Sequence, residues 1–147
     1  MKKNLRIVYL VLFLSMIFMQ EQQGLAGTIK DDAKSPVKIA VAAESGTEFS
    51  KISDRAGRAP FFLIFDYSGA FIKAIKNPAQ YQKGGTSSRV TTLLKKESVK
   101  TFIAVKFGAK MENNLKAAGI EYLEHSGTAK EVVESIIKNK RRKDAYK

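Results

Sequence analysis

The chain has 147 residues, a length that suits one folded domain once a targeting segment is set aside. It contains no cysteine and one histidine, His125, so disulfides, thiolate-ligated clusters, cysteine nucleophiles and multi-histidine metal sites are excluded. Lysine and arginine together number 26 against 14 acidic residues, and the resulting net charge of +12 predicts a negatively charged partner.

The amino terminus has the pattern of a secretory signal peptide. Three basic residues precede an apolar run at residues 7–19, which is shorter than a typical membrane-spanning helix. Small residues at positions 24 and 26 favour cleavage after Ala26. We therefore predict a signal peptide at residues 1–26, a linker at 27–36 and a periplasmic or secreted protein. The alternative is a membrane anchor formed by residues 7–19.

Residues 37–137 predict an α/β domain with the element order β-ββ-α-β-α-β-α. Apolar runs predict strands at residues 38–43, 61–65, 70–75, 101–105 and 120–123. The two strands of the hairpin are joined by Asp66-Tyr67-Ser68-Gly69, a turn sequence. Apolar residues at helical spacing predict three helices, with these stripes: Val90, Leu93 and Leu94; Met111, Leu115 and Ala118; Val132, Val133, Ile136 and Ile137.

Helix boundaries are also indicated by residue type. Ser87 or Ser88 is available to cap the first helix, and Gly119 ends the second. Thr128 and Glu131 have the spacing of a capping box for the third. Residues 138–147 carry a net charge of +5, and we predict a disordered basic tail there.

Right-handed crossover connections restrict how these elements can form one sheet. They predict a five-stranded mixed sheet in the order 3-2-1-4-5, with the second strand antiparallel and the first, fourth and fifth parallel. In such sheets ligands bind where the parallel strands end at their carboxyl side. The loops at that edge therefore form the candidate site.

These loops are rich in basic residues and glycine. Arg55 and Arg58 follow the first strand, Gly84 and Gly85 precede the first helix, and Lys106 and Gly108 follow the fourth strand. Free amides and positive dipole ends at helix N-termini favour anions, and basic side chains add to that attraction. The alternative interpretation is that the glycines are turn residues only.

The sequence gives less support for metal binding, hydrolysis or nucleic-acid binding. His125 could bind a metal or carry a proton, but a solvated side chain is the commoner role for one histidine in a loop. The edge acids have no spacing typical of a hydrolase. The phenylalanines near residues 61–71 indicate core packing instead of a base-stacking surface, so no specific nucleic-acid binding is predicted.

Several segments resemble the dinitrogenase iron-molybdenum cofactor biosynthesis family, which includes NifX and the C-terminal part of NifB. They are the first strand, the stretch from Ile52 to Phe62, the Asn77-Pro78 pair, the Leu-Lys-Ala-Ala-Gly-Ile sequence at Leu115–Ile120, and Gly127-Thr128. Their order and spacing cover residues 37–137.

The resemblance implies an RNase H-like three-layer fold that binds or ferries anionic metal-sulfur clusters without catalytic turnover. By position, it implies that Ser53, Arg55, Gly57 and Arg58 belong to the binding loop. The expected cargo is a molybdenum- or iron-containing cluster, or a metal oxyanion, held non-covalently. Because of the signal peptide, we expect an exported member of the family that handles a different metal, oxyanion or cluster.

Two other functions are open at this point. The chain could be a polyanion- or membrane-surface-binding module in which the basic tail provides the attraction. It could also hydrolyse phosphorylated compounds, the least supported of the three. The oligomeric state is not indicated by the sequence.

Overall fold

The computed structural model describes residues 37–146. The predicted signal peptide, the alternative anchor and the linker lie outside these residues. The described elements are β1 (Lys38–Ala43), β2 (Phe61–Asp66), β3 (Phe71–Lys76), α1 (Thr86–Lys96), β4 (Val99–Ala104), α2 (Ala109–Ala117), β5 (Glu121–Glu124) and α3 (Ala129–Asp144).

The five strands form one sheet in the order β3-β2-β1-β4-β5, which confirms the predicted topology. β1 pairs with β4 in parallel and β4 with β5 in parallel, while β2 is antiparallel to both β1 and β3. The central strand β1 is apolar from Ile39 onward because helices cover both faces of the sheet.

The two faces carry separate apolar cores, so the fold has three layers. Ala40 and Ala42 of β1 point to the face covered by α1 and α2, where Phe62, Phe102 and Leu115 are fully buried. Successive residues of a strand point to opposite faces, and the intervening side chains of β1 pack under α3. That second core contains Ile39, Val41, Ala43, Leu63, Phe65, Ile103, Ala129, Val133 and Ile137.

The strand register defines two ends of the sheet. Lys38, which opens β1, is opposite Asp66, so the amino ends of the parallel strands and the β2–β3 turn lie together at what we call the turn end. Ala43 is opposite Phe61, so the loops that follow β1 and β4 leave from the other end, the loop end.

Some element boundaries differ from the predictions. β4 begins at Val99, two residues early, because Ser98 adopts a positive φ of 62° and turns the chain directly from α1 into the sheet. Glycine is the usual residue in that conformation, so the sequence did not indicate this turn. α1 begins after Gly85, and neither predicted serine caps it. Thr128 is the N-cap residue of α3, but its side chain forms no capping hydrogen bond.

The carboxyl-terminal segment also differs from its prediction. The prediction of a disordered tail from Lys138 is wrong for residues 138–144, because α3 continues to Asp144. Lys140 helps to hold this part of the helix on the sheet: its Nζ lies 3.6 Å from a carboxylate oxygen of Glu121 and 5.3 Å from the ring centroid of Tyr67. Within residues 37–146, no helix has both the length and the apolar character needed to cross a membrane.

Candidate anion-binding site

An open cleft of about 870 Å³ lies at the loop end of the sheet. Three separate segments form its walls: the loop after β1, the glycine-containing entry into α1 and the connection from β4 into α2. The lining residues are Asp54, Arg55, Ala56, Gly57, Arg58, Gly84, Gly85, Thr86, Ser87, Lys106, Phe107, Gly108, Ala109, Lys110 and Met111.

Most of the predicted site residues meet in this cleft. Arg55, Gly57 and Arg58 come from the loop after β1, and the other four predicted lining residues come from the other two segments. These segments are far apart in the sequence, so it is the parallel arrangement of β1 and β4 that brings them together. The remaining predicted lining residues are Gly84, Gly85, Lys106 and Gly108.

Ser53 is not part of the cleft wall. It is 4% exposed, and its main chain joins β1 to the residue after β4: its N–H donates to the carbonyl of Ala42 at 2.8 Å, and its carbonyl accepts from Val105 N–H at 3.1 Å. Ser53 therefore positions the start of the loop that carries Arg55 and Arg58.

His125 also lies outside the residues that line the cleft. Its side chain is exposed, and its N–H donates to the carbonyl of Ala104. Among residues 37–146, no three His, Cys, Asp or Glu side chains come together to hold a metal ion. A metal-binding role for His125 thus has no supporting neighbours in this part of the chain.

The first amides of α1 and α2 open onto the cleft. Thr86, Ser87, Ala109 and Lys110 all line it, and within the described residues their main-chain N–H groups have no hydrogen-bond acceptor. Such unpaired N–H groups, together with the helix dipole, attract anions.

The N-terminus of α3 provides an internal contrast. Ala129 N–H donates to the carbonyl of Ser50 at 2.9 Å, and Lys130 N–H donates to the carbonyl of Glu48 at 3.0 Å. The long loop after β1 therefore satisfies the first amides of this helix. Of the three helices described here, the two that open onto the cleft are those whose first amides are left available.

The glycines of the cleft differ in whether backbone geometry or packing requires glycine at each position. A Cβ atom added at Gly84, Gly85 or Gly108 would have no heavy atom within 4 Å. Gly85 has a φ of 70°, so its backbone favours glycine, but Gly108 has ordinary extended angles of −89° and 151°. Neither turn geometry nor packing therefore requires glycine at position 108. Packing does restrict position 57, because a Cβ atom there would lie 3.1 Å from Met111 Cε.

The charge on the cleft wall is strongly positive. Four basic side chains, those of Arg55, Arg58, Lys106 and Lys110, face a single carboxylate, that of Asp54. Among the described residues, none of these five forms a salt bridge. Lys110 was not predicted from the sequence. Its position as the second residue of α2, close after Gly108, was the available signal.

The wall of the cleft also contains large apolar side chains. Met111 and Phe107 line it, and the Phe107 ring packs edge-on against Phe102, with the centroids 5.4 Å apart. Glu124 accepts a hydrogen bond from Phe107 N–H at 3.2 Å, which fixes this connection against β5. Apolar side chains in the same cleft as cations and open amides suit an anion with a polarisable interior and charged outer atoms.

Several solved structures share this fold. One is the apo form of the orange protein from Desulfovibrio gigas, which is 25% identical with a TM-score of 0.64, over 69% of this chain and 88% of that one. Another is an NMR structure of a provisionally named NifB protein from Thermotoga, which is 26% identical with a TM-score of 0.59, over 68% of this chain and 86% of that one. A comparison with curated proteins gives no match.

The family described as dinitrogenase iron-molybdenum cofactor matches residues 37–139, which include every strand and most of α3. This match spans more than half of the chain and agrees with the resemblance seen in its motifs. The chain therefore belongs to the dinitrogenase iron-molybdenum cofactor family, whose NifX- and NifB-like members it resembles in sequence and fold.

Proposed function

We propose that this chain is an exported, non-enzymatic binding or carrier protein for an anionic metal cluster or metal oxyanion. The observation that carries the proposal is the convergence of three distant segments on one cleft lined by basic side chains, open amides and apolar side chains. Membership of the iron-molybdenum cofactor family supports a metal cluster as the class of cargo.

The cargo would be held by its outer atoms. Oxo or sulfido groups at the cluster surface can accept charge-assisted hydrogen bonds from Arg55, Arg58, Lys106 and Lys110, and ordinary ones from the helix amides. Met111 and Phe107 would contact the less charged faces. A molybdenum- or iron-containing cluster can then bind without any bond from the metal to the protein.

The composition of the cleft supports binding without turnover. Its titratable lining is four bases and the carboxylate of Asp54, whereas general acid–base catalysis commonly uses a positioned acid and base pair. Rapid hydrolysis of simple phosphoesters by the purified protein would contradict this part of the proposal.

Export is proposed from residues 1–26. The amino-terminal residue of the protein isolated from its native host tests it: Gly27 in a periplasmic or secreted fraction is expected. An intact Met1 in the cytoplasm would contradict export, and an intact Met1 in the membrane fraction would favour the anchor at residues 7–19.

The binding proposal is tested with tetrathiomolybdate and molybdate as probes, by equilibrium dialysis and elemental analysis of the chain from Gly27. The double variant R55A/R58A is expected to weaken uptake by about 100-fold or more, since each lost charge-assisted hydrogen bond costs about 1.5–3 kcal/mol. Higher salt should weaken the binding to the unmodified chain.

The matched control is K95A/K96A, which removes the same charge from two exposed residues at the end of α1, outside the cleft. We expect this control to keep most of the affinity. Equal affinity in R55A/R58A and the unmodified chain would reject the site, and equal losses in both variants would show attraction by net charge alone.

A second candidate function is attachment to a polyanion or an anionic membrane surface through the end of α3. The observation that favours it is the continuation of α3 as a basic helix through Asp144, with Arg141, Arg142 and Lys143 in its last turn. The two functions use opposite ends of the sheet, so they do not compete for the same residues.

A further inference from the structure

The last turns of α3 form a second basic surface, at the turn end of the sheet. Lys138, Arg141, Arg142 and Lys143 are exposed there, and Tyr146 is 89% exposed just beyond the helix. We call these five residues the basic pole. None of its four cations forms a salt bridge within residues 37–146.

The position of the pole follows from the direction of α3. The helix begins after the carboxyl end of β5 and runs back along the sheet. Lys140, near the pole, contacts Tyr67 of the β2–β3 turn and Glu121, the first residue of β5. The pole and the cleft therefore lie at opposite ends of the strands.

The pole contains a shallow depression of about 500 Å³ beside the β2–β3 turn. Lys138, Arg141 and Arg142 line it together with one acid, Glu134, and its apolar surface comes from Ile137 and Ala145. Cations beside an apolar patch match a phospholipid headgroup, in which a phosphate is joined to less polar glycerol and acyl groups.

The path of the chain points to the same end. Val37, where the described domain begins, lines another depression with Asp66, Tyr67 and Ser68, and Ser68 also lines the depression at the pole. The described domain therefore begins on the side of the basic pole.

We infer that the basic pole docks on the surface of an anionic phospholipid bilayer, with the cleft facing away from the membrane. This inference deepens the second candidate function and does not depend on the cleft holding a ligand. Exposed cations gain about 1 kcal/mol each near such a surface, and a tyrosine beside them suits the interface between headgroups and water.

The test uses the chain from Gly27, which keeps the whole sheet and both apolar cores but lacks the apolar run. Flotation is measured with vesicles of phosphatidylglycerol and phosphatidylcholine and with phosphatidylcholine alone. Binding to the anionic vesicles is expected, and the triple variant K138Q/R141Q/R142Q should weaken it by about 10-fold or more. Equal binding to both vesicle types would overturn the inference.

The matched control K51Q/K83Q/R89Q removes the same charge from exposed residues at the loop end, outside both the pole and the cleft. It should keep most of the vesicle binding. Equal losses of vesicle binding in the two triple variants would overturn the inference, because they would show that net charge alone attracts the chain to the vesicles. Binding to heparin that depends on the pole, without binding to anionic vesicles, would also overturn it and would identify a soluble polyanion as the partner.

The orientation of the docked domain can be measured with single tryptophan probes, because the chain itself contains no tryptophan. Tyr146 at the pole and Tyr81 at the loop end are similarly exposed, at 89% and 85%. On anionic vesicles, the emission of Y146W should shift to the blue, and that of Y81W should not. A blue shift in Y81W alone, or in both variants equally, would contradict docking by the pole.

Discussion

At the scale of single residues, the cleft contains glycines that the backbone does not explain. Gly85 needs its positive φ, but Gly108 has angles that any residue adopts, and a Cβ there would stand in open space. If glycine at position 108 serves a ligand that approaches closely, a methyl group should impair binding without impairing folding.

Replacing Gly108 with alanine tests this reasoning. We expect G108A to change the free energy of unfolding by less than about 1 kcal/mol and to weaken tetrathiomolybdate uptake clearly. In contrast, G85A should cost about 1–2 kcal/mol, because alanine is strained at that φ. Urea denaturation and equilibrium dialysis measure the two effects. Unchanged uptake by a stably folded G108A would mean that the ligand does not approach the start of α2.

The sequence predicted which residues line the cleft better than it predicted what each residue does there. Arg55, Arg58 and Lys106 could be named because basic side chains beside helix-preceding glycines indicate an anion site. Ser53 was named from the family resemblance, but its burial depends on hydrogen bonds to β1 and to Val105 after β4, and a local pattern does not reveal these.

At the scale of elements, the β2–β3 hairpin depends on one turn that the sequence predicted. Asp66 Oδ1 accepts hydrogen bonds from Ser68 N–H at 2.8 Å and Ala70 N–H at 3.0 Å, and from the Ser68 hydroxyl. The Ser68 hydroxyl is the main cause that lowers the pKa of Asp66 from its ordinary value of 3.8, while burial opposes it and main-chain N–H groups assist.

The lowered pKa of Asp66 predicts a pH dependence of stability. The ionised carboxylate favours the folded state, so its contribution is present above pH 3.8 and is lost as the pH falls through the folded pKa. The substitution D66N keeps an acceptor oxygen at this position but removes the charge. The excess stability of the unmodified chain over D66N should therefore shrink between about pH 5 and pH 2. Urea denaturation across this range measures it, and a constant difference would contradict the prediction.

All eight elements could be predicted from apolar runs and helical periodicity, whereas several of their boundaries could not. The end of α1 depends on Ser98 in a conformation usual for glycine. The end of α3 is supported by Lys140 through contacts with Tyr67 and Glu121. Composition alone favoured disorder for such a basic segment, because these contacts join residues that are distant in the sequence.

At the scale of the whole molecule, the sheet separates two positive surfaces. The cleft lies where β1 and β4 end, and the basic pole lies at the turn end. The topology could be predicted from the rule of right-handed crossovers, and it placed the cleft correctly. It did not reveal which helix N-termini stay open, because the closure of α3 depends on how the loop after β1 folds back onto it.

The central claim is that open amides and cations at the cleft hold an anionic metal species. Chemical-shift mapping of the ¹⁵N-labelled chain from Gly27 during titration with tetrathiomolybdate tests it most directly. The account predicts the largest shifts at the amides of Thr86, Ser87, Ala109 and Lys110, with little change at Ala129 and Lys130. Shifts concentrated at the end of α3, or none at the cleft on saturation, would contradict it.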